Sequence, residues 1–152
     1  GVQTCALPIS VHFDGVATVV ARLLGLIRPQ RLLLGEKDWQ QLVILRRVAA
    51  DLGLPVMVQG CPTLRESDGL AMSSRNRYLS ANERLQARAL PESLAAAAAQ
   101  ALAPAPPDLA LLSGQVQQQL EQAGMVVDYV EAVCPHSLAP RRRRSEEHTS
   151  EL

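Results

Sequence analysis

The first half of the chain alternates between apolar residues at helical spacing and short continuous apolar runs. In "FDGVATVVARLLGLIRPQ", Val16, Val19, Val20, Leu23, Leu24 and Ile27 recur at intervals that place them on one side of a helix. Asp14 stands where an N-cap belongs, and Pro29 where the helix should stop. "RLLLG" predicts a short strand, and its lack of alternation fits burial on both faces. "DWQQLVILRRVAADLGL" predicts a second helix. Its apolar side carries Trp39, Leu42, Val43, Leu45, Val48, Ala49 and Leu52, and Gly53 suits the C′ position. "PVMVQGC" predicts another strand. Helix, strand, helix, strand with short loops is the order of an α/β fold, a parallel sheet wound by right-handed crossovers.

The pattern changes after Pro62. "TLRESDGLAMSSRNRYLS" is polar and turn-rich, without clear periodicity. "SANE", residues 80–83, has the form of a capping box and begins an alanine-rich helix expected to reach about Leu102. The alanine run is read as a helix with little side-chain entropy to lose, and no function is assigned to it. "APAPP" breaks it, a second amphipathic helix is expected over about residues 108–123, and "MVVDYVEAV" predicts a strand. This half reads as α+β, with a domain boundary between residues 61 and 64.

The two ends of the chain are related through DNA. One permitted set of codons for the final "RSEEHTSEL", reverse-complemented and read in a shifted frame, encodes Val2 through Ile9. A single oligonucleotide ligated to both sides of an insert produces that relation. Residues 1–9 and 144–152 are therefore read as adapter-derived and kept out of fold reasoning. The rest of the chain is read as two parts, residues 10–62 and residues 63–143.

Composition and charge then narrow the classes. The whole chain carries 15 basic and 15 acidic residues. Setting aside Arg144, Glu146, Glu147 and Glu151 leaves 14 basic and 12 acidic, a net +2, much of it from Arg141, Arg142 and Arg143. That small excess, with 3% aromatic residues, argues against a nucleic-acid partner. The 47% apolar content suits a globular chain, and no apolar run reaches the ~18 residues of a membrane span, so no membrane partner is expected. With Cys5 set aside, Cys61 and Cys134 lack CxxC spacing, and His12 and His136 stand alone. No metal site in the protein is expected, and the expected compartment is a reducing cytoplasm.

Two loops carry candidate chemistry. In an open parallel sheet, ligands lie beyond the carboxyl ends of the strands, where helix N-termini point. "GEKD", residues 35–38, occupies that place. Gly35 permits close approach of a ligand or a positive φ. Lys37 offers a point charge to phosphate oxygens. Asp38 can cap the next helix, whose N-terminus favours anions. Gln41, one turn on, carries an amide able to donate and accept. The same residues also suit an ordinary strand-to-helix turn with a surface Lys–Asp pair. In "MSSRNR", the hydroxyls of Ser73 and Ser74 and the guanidinium of Arg75 can hold a polyphosphate without a P-loop pattern. A solvated loop is the plain alternative there.

Taken together, "HFDGVATVVARLL", "GEKDWQQLVILRRVAADL", "CPTLRESDGLAMSSRNRYLS" and "VDYVE" resemble, in order and separation, the pantothenate synthetase (pantoate–β-alanine ligase) family. The resemblance covers nearly all of residues 11–135. It implies a partial Rossmann-like parallel sheet of nucleotidyltransferase type, followed by part of a smaller α+β domain that closes over the site. It implies ATP as a substrate with Mg²⁺, pantoate and β-alanine as the other small molecules, a pantoyl-adenylate intermediate, and a homodimeric parent enzyme.

Carried over by motif, Gly35, Glu36, Lys37 and Asp38 bind ATP, and Gln41 binds pantoate. Leu64, where the family often has Val, contacts the nucleotide. Met72, Ser73, Ser74 and Arg75 match a loop resembling the KMSKS signature of related adenylate-forming enzymes. Lys37, Ser73, Ser74 and Arg75 are thus the expected catalytic groups, acting by positioning and charge rather than as nucleophiles. The family's His-Ile-Gly-His-type motif has no counterpart ahead of Val11. The expectation is that ligase activity belongs to the parent enzyme and that this chain lacks it. The alternative is a non-catalytic nucleotide- or phosphate-binding remnant. A tRNA ligase-type enzyme on the same fold predicts basic and aromatic surfaces that this composition does not supply.

Overall fold

The structure, a computed structural model, describes residues 6–141. The adapter assignment of residues 1–5 and 144–152 lies outside the described residues. The chain divides into two compact units, Gly1–Thr63 and Leu64–Leu152.

The first unit runs α1 (Ala6–Ile27), β1 (Arg31–Gly35), one 3-10 turn (Glu36–Asp38), α2 (Trp39–Asp51) and β2 (Met57–Cys61). β1 and β2 are parallel neighbours, with Arg31 opposite Met57 and Gly35 opposite Cys61. α2 is the crossover between them. Leu42 and Leu45 on its inner face are fully buried and Ala49 nearly so. The predicted end of α2 is present: Gly53 has φ +59°, its N–H bonds Ala50 O, and Leu54 N–H bonds Ala49 O. Those two bonds are a Schellman motif, which a left-handed residue at C′ makes possible.

Two expectations for this unit are corrected. Asp14 is not an N-cap, because α1 begins at Ala6 and the Asp14 carbonyl accepts a bond from the Thr18 hydroxyl at 2.7 Å. Pro8 does not prevent the earlier start, since it falls in the first turn, where a missing N–H costs nothing. β1 is not covered on both faces either. Leu32 and Leu34 are half-buried, but Leu33 is 60% exposed and Met57 on the neighbouring strand 59%. In the described residues α2 packs on the sheet and α1 packs on α2, which leaves Leu33 and Met57 uncovered.

The second unit opens with a polar loop closed by one antiparallel bridge, Arg65 to Ala71. A 3-10 turn (Ser74–Tyr78), α3 (Ala81–Ala87), α4 (Ala89–Ala101) and α5 (Leu109–Gln122) follow. Both arms of the expected capping box form: Ser80 N–H donates to Glu83 at 2.8 Å and Glu83 N–H to Ser80 Oγ at 3.2 Å. The single alanine-rich helix is instead two, separated at Arg88. Pro91 explains the break: it has no N–H to reach the carbonyl four residues back, so it is accommodated in the first turn of a new helix. α4 packs on α5, where Leu112, Val116 and Leu120 are buried at helical spacing. Ser93, Ala97 and Ala101 share one face of α4, with Ser93 buried. Asp108 caps α5 by accepting from Ala110 N–H at 2.9 Å.

The strand expected at "MVVDYVEAV" does not form in the described residues. Its one pairing is an isolated bridge, Val133 to Pro140, and Val126 is 97% exposed. A strand is defined by its ladder, and no second described segment supplies one.

Gly60 is where the first unit is least forgiving. A Cβ built there would lie 2.9 Å from Glu36 Oε1 and 2.9 Å from Leu42 Cδ2. Glu36 is partly exposed and can swing away, but Leu42 is 0% exposed and has nowhere to go. The expected outcome for Gly60→Ala is a loss of about 1–3 kcal/mol, the usual cost of overpacking, read as a lower denaturant midpoint at unchanged slope. A change below about 0.5 kcal/mol, the size of an ordinary surface effect, would show that this close approach is not a constraint.

Candidate active site

Both parallel strands end at the same edge of the sheet, Gly35 opposite Cys61. Residues 35–38 leave that edge and turn directly into α2, so the predicted position of the motif is observed. Its internal geometry differs from expectation in two ways. Gly35 has φ −70° and ψ 134°, ordinary extended backbone, so it is not there for a positive φ. A Cβ at Gly35 would meet nothing within 4 Å, which leaves open space above the strand end. Asp38 precedes α2 but makes no capping hydrogen bond. The 3-10 turn has already wound the backbone before Asp38, whose φ −100° and ψ 57° fall outside the extended conformation of an N-cap. Its carboxylate instead accepts from Lys37 Nζ at 3.1 Å.

That Lys37–Asp38 pair is solvent-exposed, with side chains 40% and 63% accessible. Exposed pairs of this kind contribute about 0–1 kcal/mol, so Lys37 can exchange its partner for a stronger anion. Glu36 points the other way, its carboxylate lying over Gly60. Gln41 is half-buried in the first turn of α2. The first unit therefore gathers Gly35, Glu36, Lys37, Asp38 and Gln41 along one strand-to-helix edge. A hollow of about 190 Å³ elsewhere in this unit, lined by Arg46, Ala49, Ala50, Leu54, Val56 and Val58, contains none of them.

The remaining predicted residues belong to the second unit. Met72 N–H bonds Leu64 O at 2.9 Å, which brings the 72–75 segment beside Leu64. The Leu64 and Met72 side chains are 72% and 57% exposed. Ser73 Oγ accepts from Arg75 N–H at 3.2 Å and starts the 3-10 turn. The side chains of Ser74 and Arg75 are exposed.

Beneath this loop lies a group of residues that the sequence reading passed over. Arg84 of α3 donates through Nη2 to Glu66 and through Nε to Asp68 at 2.6 Å. Asn76 Nδ2 donates to the other oxygen of Glu66 and to Ala71 O at 3.0 Å. The signal was present as two carboxylates and an amide spaced through "ESDGLAMSSRN", but their common partner is sixteen or more positions away in sequence from the carboxylates. Hydrogen bonds from Arg84, then Asn76, hold the Glu66 carboxyl below its ordinary value of 4.5. Arg84 does the same for Asp68, below 3.8, against partial desolvation. The two carboxylates in turn raise Arg84, Glu66 more than Asp68.

Among the described residues no three His, Cys, Asp or Glu side chains are grouped to hold a metal ion, and no helix is long and apolar enough to cross a membrane. Neither Cys61 nor Cys134 forms a disulfide among the described residues.

Because both carboxyls titrate lower in the folded state than in the unfolded chain, their contribution is complete above their ordinary values and is lost as pH falls through the depressed ones. The side-chain amide resonance of Asn76 should therefore hold its position from about pH 7 to about pH 5 and move toward its free-chain value at more acid pH. The amides of α5 should remain native over the first part of that change. An Asn76 signal that shifts midway between pH 7 and pH 5 would contradict the assignment.

Residues 3–151 match the family profile described as pantoate-beta-alanine ligase. A bifunctional pantoate ligase/cytidylate kinase of Synechococcus sp. (strain WH7803) is 56% identical over 133 residues, covering 88% of this chain and 27% of that protein. The crystal structure of pantothenate synthetase from Thermus thermophilus superposes with a TM-score of 0.76 at 45% identity, over 86% of this chain and 47% of that one. Pantoate-beta-alanine ligase from Francisella tularensis, complexed with beta-gamma ATP and beta-alanine, gives 0.55 at 31% identity over 71% and 39%. The chain thus spans less than half the length of each of these relatives. Its α/β architecture, with a short parallel sheet, agrees with the nucleotidyltransferase-type fold of the pantothenate synthetase structure. By sequence and by fold, the chain belongs to the pantoate–β-alanine ligase family.

Proposed function

We propose that the residues described here bind ATP and pantoate for the synthesis of pantothenate by the whole enzyme to which this segment corresponds. The observation that carries this reading is the 35–38 segment at the carboxyl edge of a parallel strand pair, with open space over Gly35 and a helix beginning behind it. The beta-gamma ATP and beta-alanine bound to the Francisella tularensis relative support the choice of ligands.

The reaction is two transfers. A carboxylate oxygen of pantoate attacks the α-phosphorus of ATP, an O–P bond forms, and pyrophosphate leaves with the electron pair of the broken P–O bond. The amine of β-alanine then attacks the acyl carbon, the C–N bond forms, AMP leaves, and the amine proton passes to solvent. Neither step needs a protein nucleophile. Each needs its reactants held together and the developing charge offset.

Gly35, Glu36, Lys37, Asp38, Leu64, Met72, Ser73, Ser74 and Arg75 contact ATP in this reading. Lys37 exchanges Asp38 for phosphate oxygens. Ser73 uses its Oγ lone pair on Arg75 N–H and keeps its O–H to donate to phosphate. Arg75 offers a planar fork. Gln41 orients pantoate from the first turn of α2. ATP enters as its magnesium complex, in which phosphate oxygens and water hold most of the metal's ligand positions. The same reading places the whole enzyme in the cytoplasm and makes it a homodimer.

A second reading is nucleotide binding without turnover. Calorimetric titration of the 152-residue chain with MgATP, paired with a pyrophosphate-release assay, separates the two. Saturable binding is expected, and Lys37→Ala and Arg75→Ala should each weaken it by about tenfold, or about 1.4 kcal/mol. Pyrophosphate release requiring both ATP and pantoate establishes turnover by this chain, whereas binding alone assigns it the second role. No heat at millimolar MgATP would sink both.

A further inference from the structure

The loop that carries Met72, Ser73, Ser74 and Arg75 has little regular structure to shape it. Among the described residues its ladder pairing is the Arg65–Ala71 bridge, made by Met72 N–H to Leu64 O and Glu66 N–H to Leu70 O. Two tight turns supply the rest. Gly69 N–H bonds Glu66 O, and Leu70 N–H bonds Asp68 Oδ1. Something must hold those turns in register with the 3-10 turn that follows.

Asn76 does the first part. Its Nδ2 donates to Ala71 O, so one side chain joins the residue before the 72–75 segment to the residue after it. The segment becomes a closed loop of four residues. Asn76 is itself held by Glu66 Oε1, which leaves Glu66 Oε2 and Asp68 Oδ2 side by side facing α3. Arg84 fills that place with two different nitrogens, Nη2 to Glu66 and Nε to Asp68. α3 is fixed in turn by the Ser80–Glu83 capping box, and Arg84 N–H bonds Ser80 O. Arg84 is therefore neutralised by two carboxylates, unlike the exposed Arg75 four residues beyond Ala71.

We propose that Arg84 is a positioning residue: through Glu66, Asp68 and Asn76 it sets the conformation in which residues 72–75 meet the phosphates. It touches no ligand itself. This rests on the nucleotide reading above only for what the loop binds, not for how the loop is held. The role calls for a guanidinium, because two carboxylates are met by two nitrogens of one rigid plane, a geometry that a lysine ammonium does not reproduce.

Amide hydrogen exchange on the 152-residue chain without nucleotide tests the holding, and MgATP titration tests its consequence. Arg84→Ala should speed exchange of residues 71–77 by about tenfold or more while the core of α5 stays protected. It should weaken MgATP by about fivefold to tenfold, and Arg84→Lys should recover only part of either effect. In an Arg75→Ala background the Arg84→Ala penalty on binding should shrink toward none, since its effect passes through the displaced loop. Glu66→Gln, which keeps the side-chain volume, should loosen the same residues. Unchanged exchange at residues 71–77 in Arg84→Ala would overturn the proposal. So would equal loosening of α5 in both Arg84→Ala and Glu66→Gln, which would make the cluster a general fold contact. Faster loop exchange in a chain that shows no MgATP binding even as wild type would uphold the clamp and remove the nucleotide reading.

Discussion

The contact of Leu42 with Gly60 is the constraint on which the first unit depends. Leu42 is fully buried, and its Cδ2 approaches β2 at a distance that only a residue without a Cβ allows. That approach seats α2 on the two strands, and seating α2 fixes where its N-terminus lies. Gly35, Lys37, Asp38 and Gln41 inherit their positions from it, because they occupy the turn and first helical turn that the packing holds in place. Glu36 shares the same close approach, so the one motif residue that points back at the sheet is tied to the core contact.

The second unit solves a different problem. Its loop has few apolar side chains to bury: Leu64 and Met72 are exposed, and Leu70 is the one large apolar residue buried between positions 64 and 78. Shape there comes from polar groups that satisfy one another. Glu66, Asp68, Asn76 and Arg84 form a closed set of charge-assisted bonds, which are stronger and more directional than neutral ones. The apolar core of the unit lies in α5, with Leu112, Val116 and Leu120. The two units thus show two ways of fixing a loop, one by helix–sheet packing and one by an ion network.

Much of this was legible in the sequence, and the parts that were not share a cause. α2 and its Gly53 terminus, the capping box at Ser80 and both short strands depend on residues within a few positions of one another. Their local chemistry is sufficient to read them. Asp14 was misplaced because a good capping residue also fits inside a helix when the apolar period continues upstream. Asp38 does not cap α2 because the 3-10 turn beginning at Glu36 winds the backbone before Asp38 is reached. "MVVDYVEAV" has strand composition, but a strand exists only where a partner ladder does.

What the sequence determined by itself was the order of elements in the first unit, the family, and the residue types at the strand-to-helix edge and in the serine–arginine loop. Hydrophobic period and motif spacing encode these directly. Only the tertiary structure decided which face of β1 is covered, that Asp38 pairs with Lys37 rather than capping α2, and that Arg84 serves the loop while Arg75 stands open. Each of those turns on a contact between residues whose proximity is created by folding. No spacing along the chain records that a guanidinium on α3 will find two carboxylates sixteen and eighteen positions away.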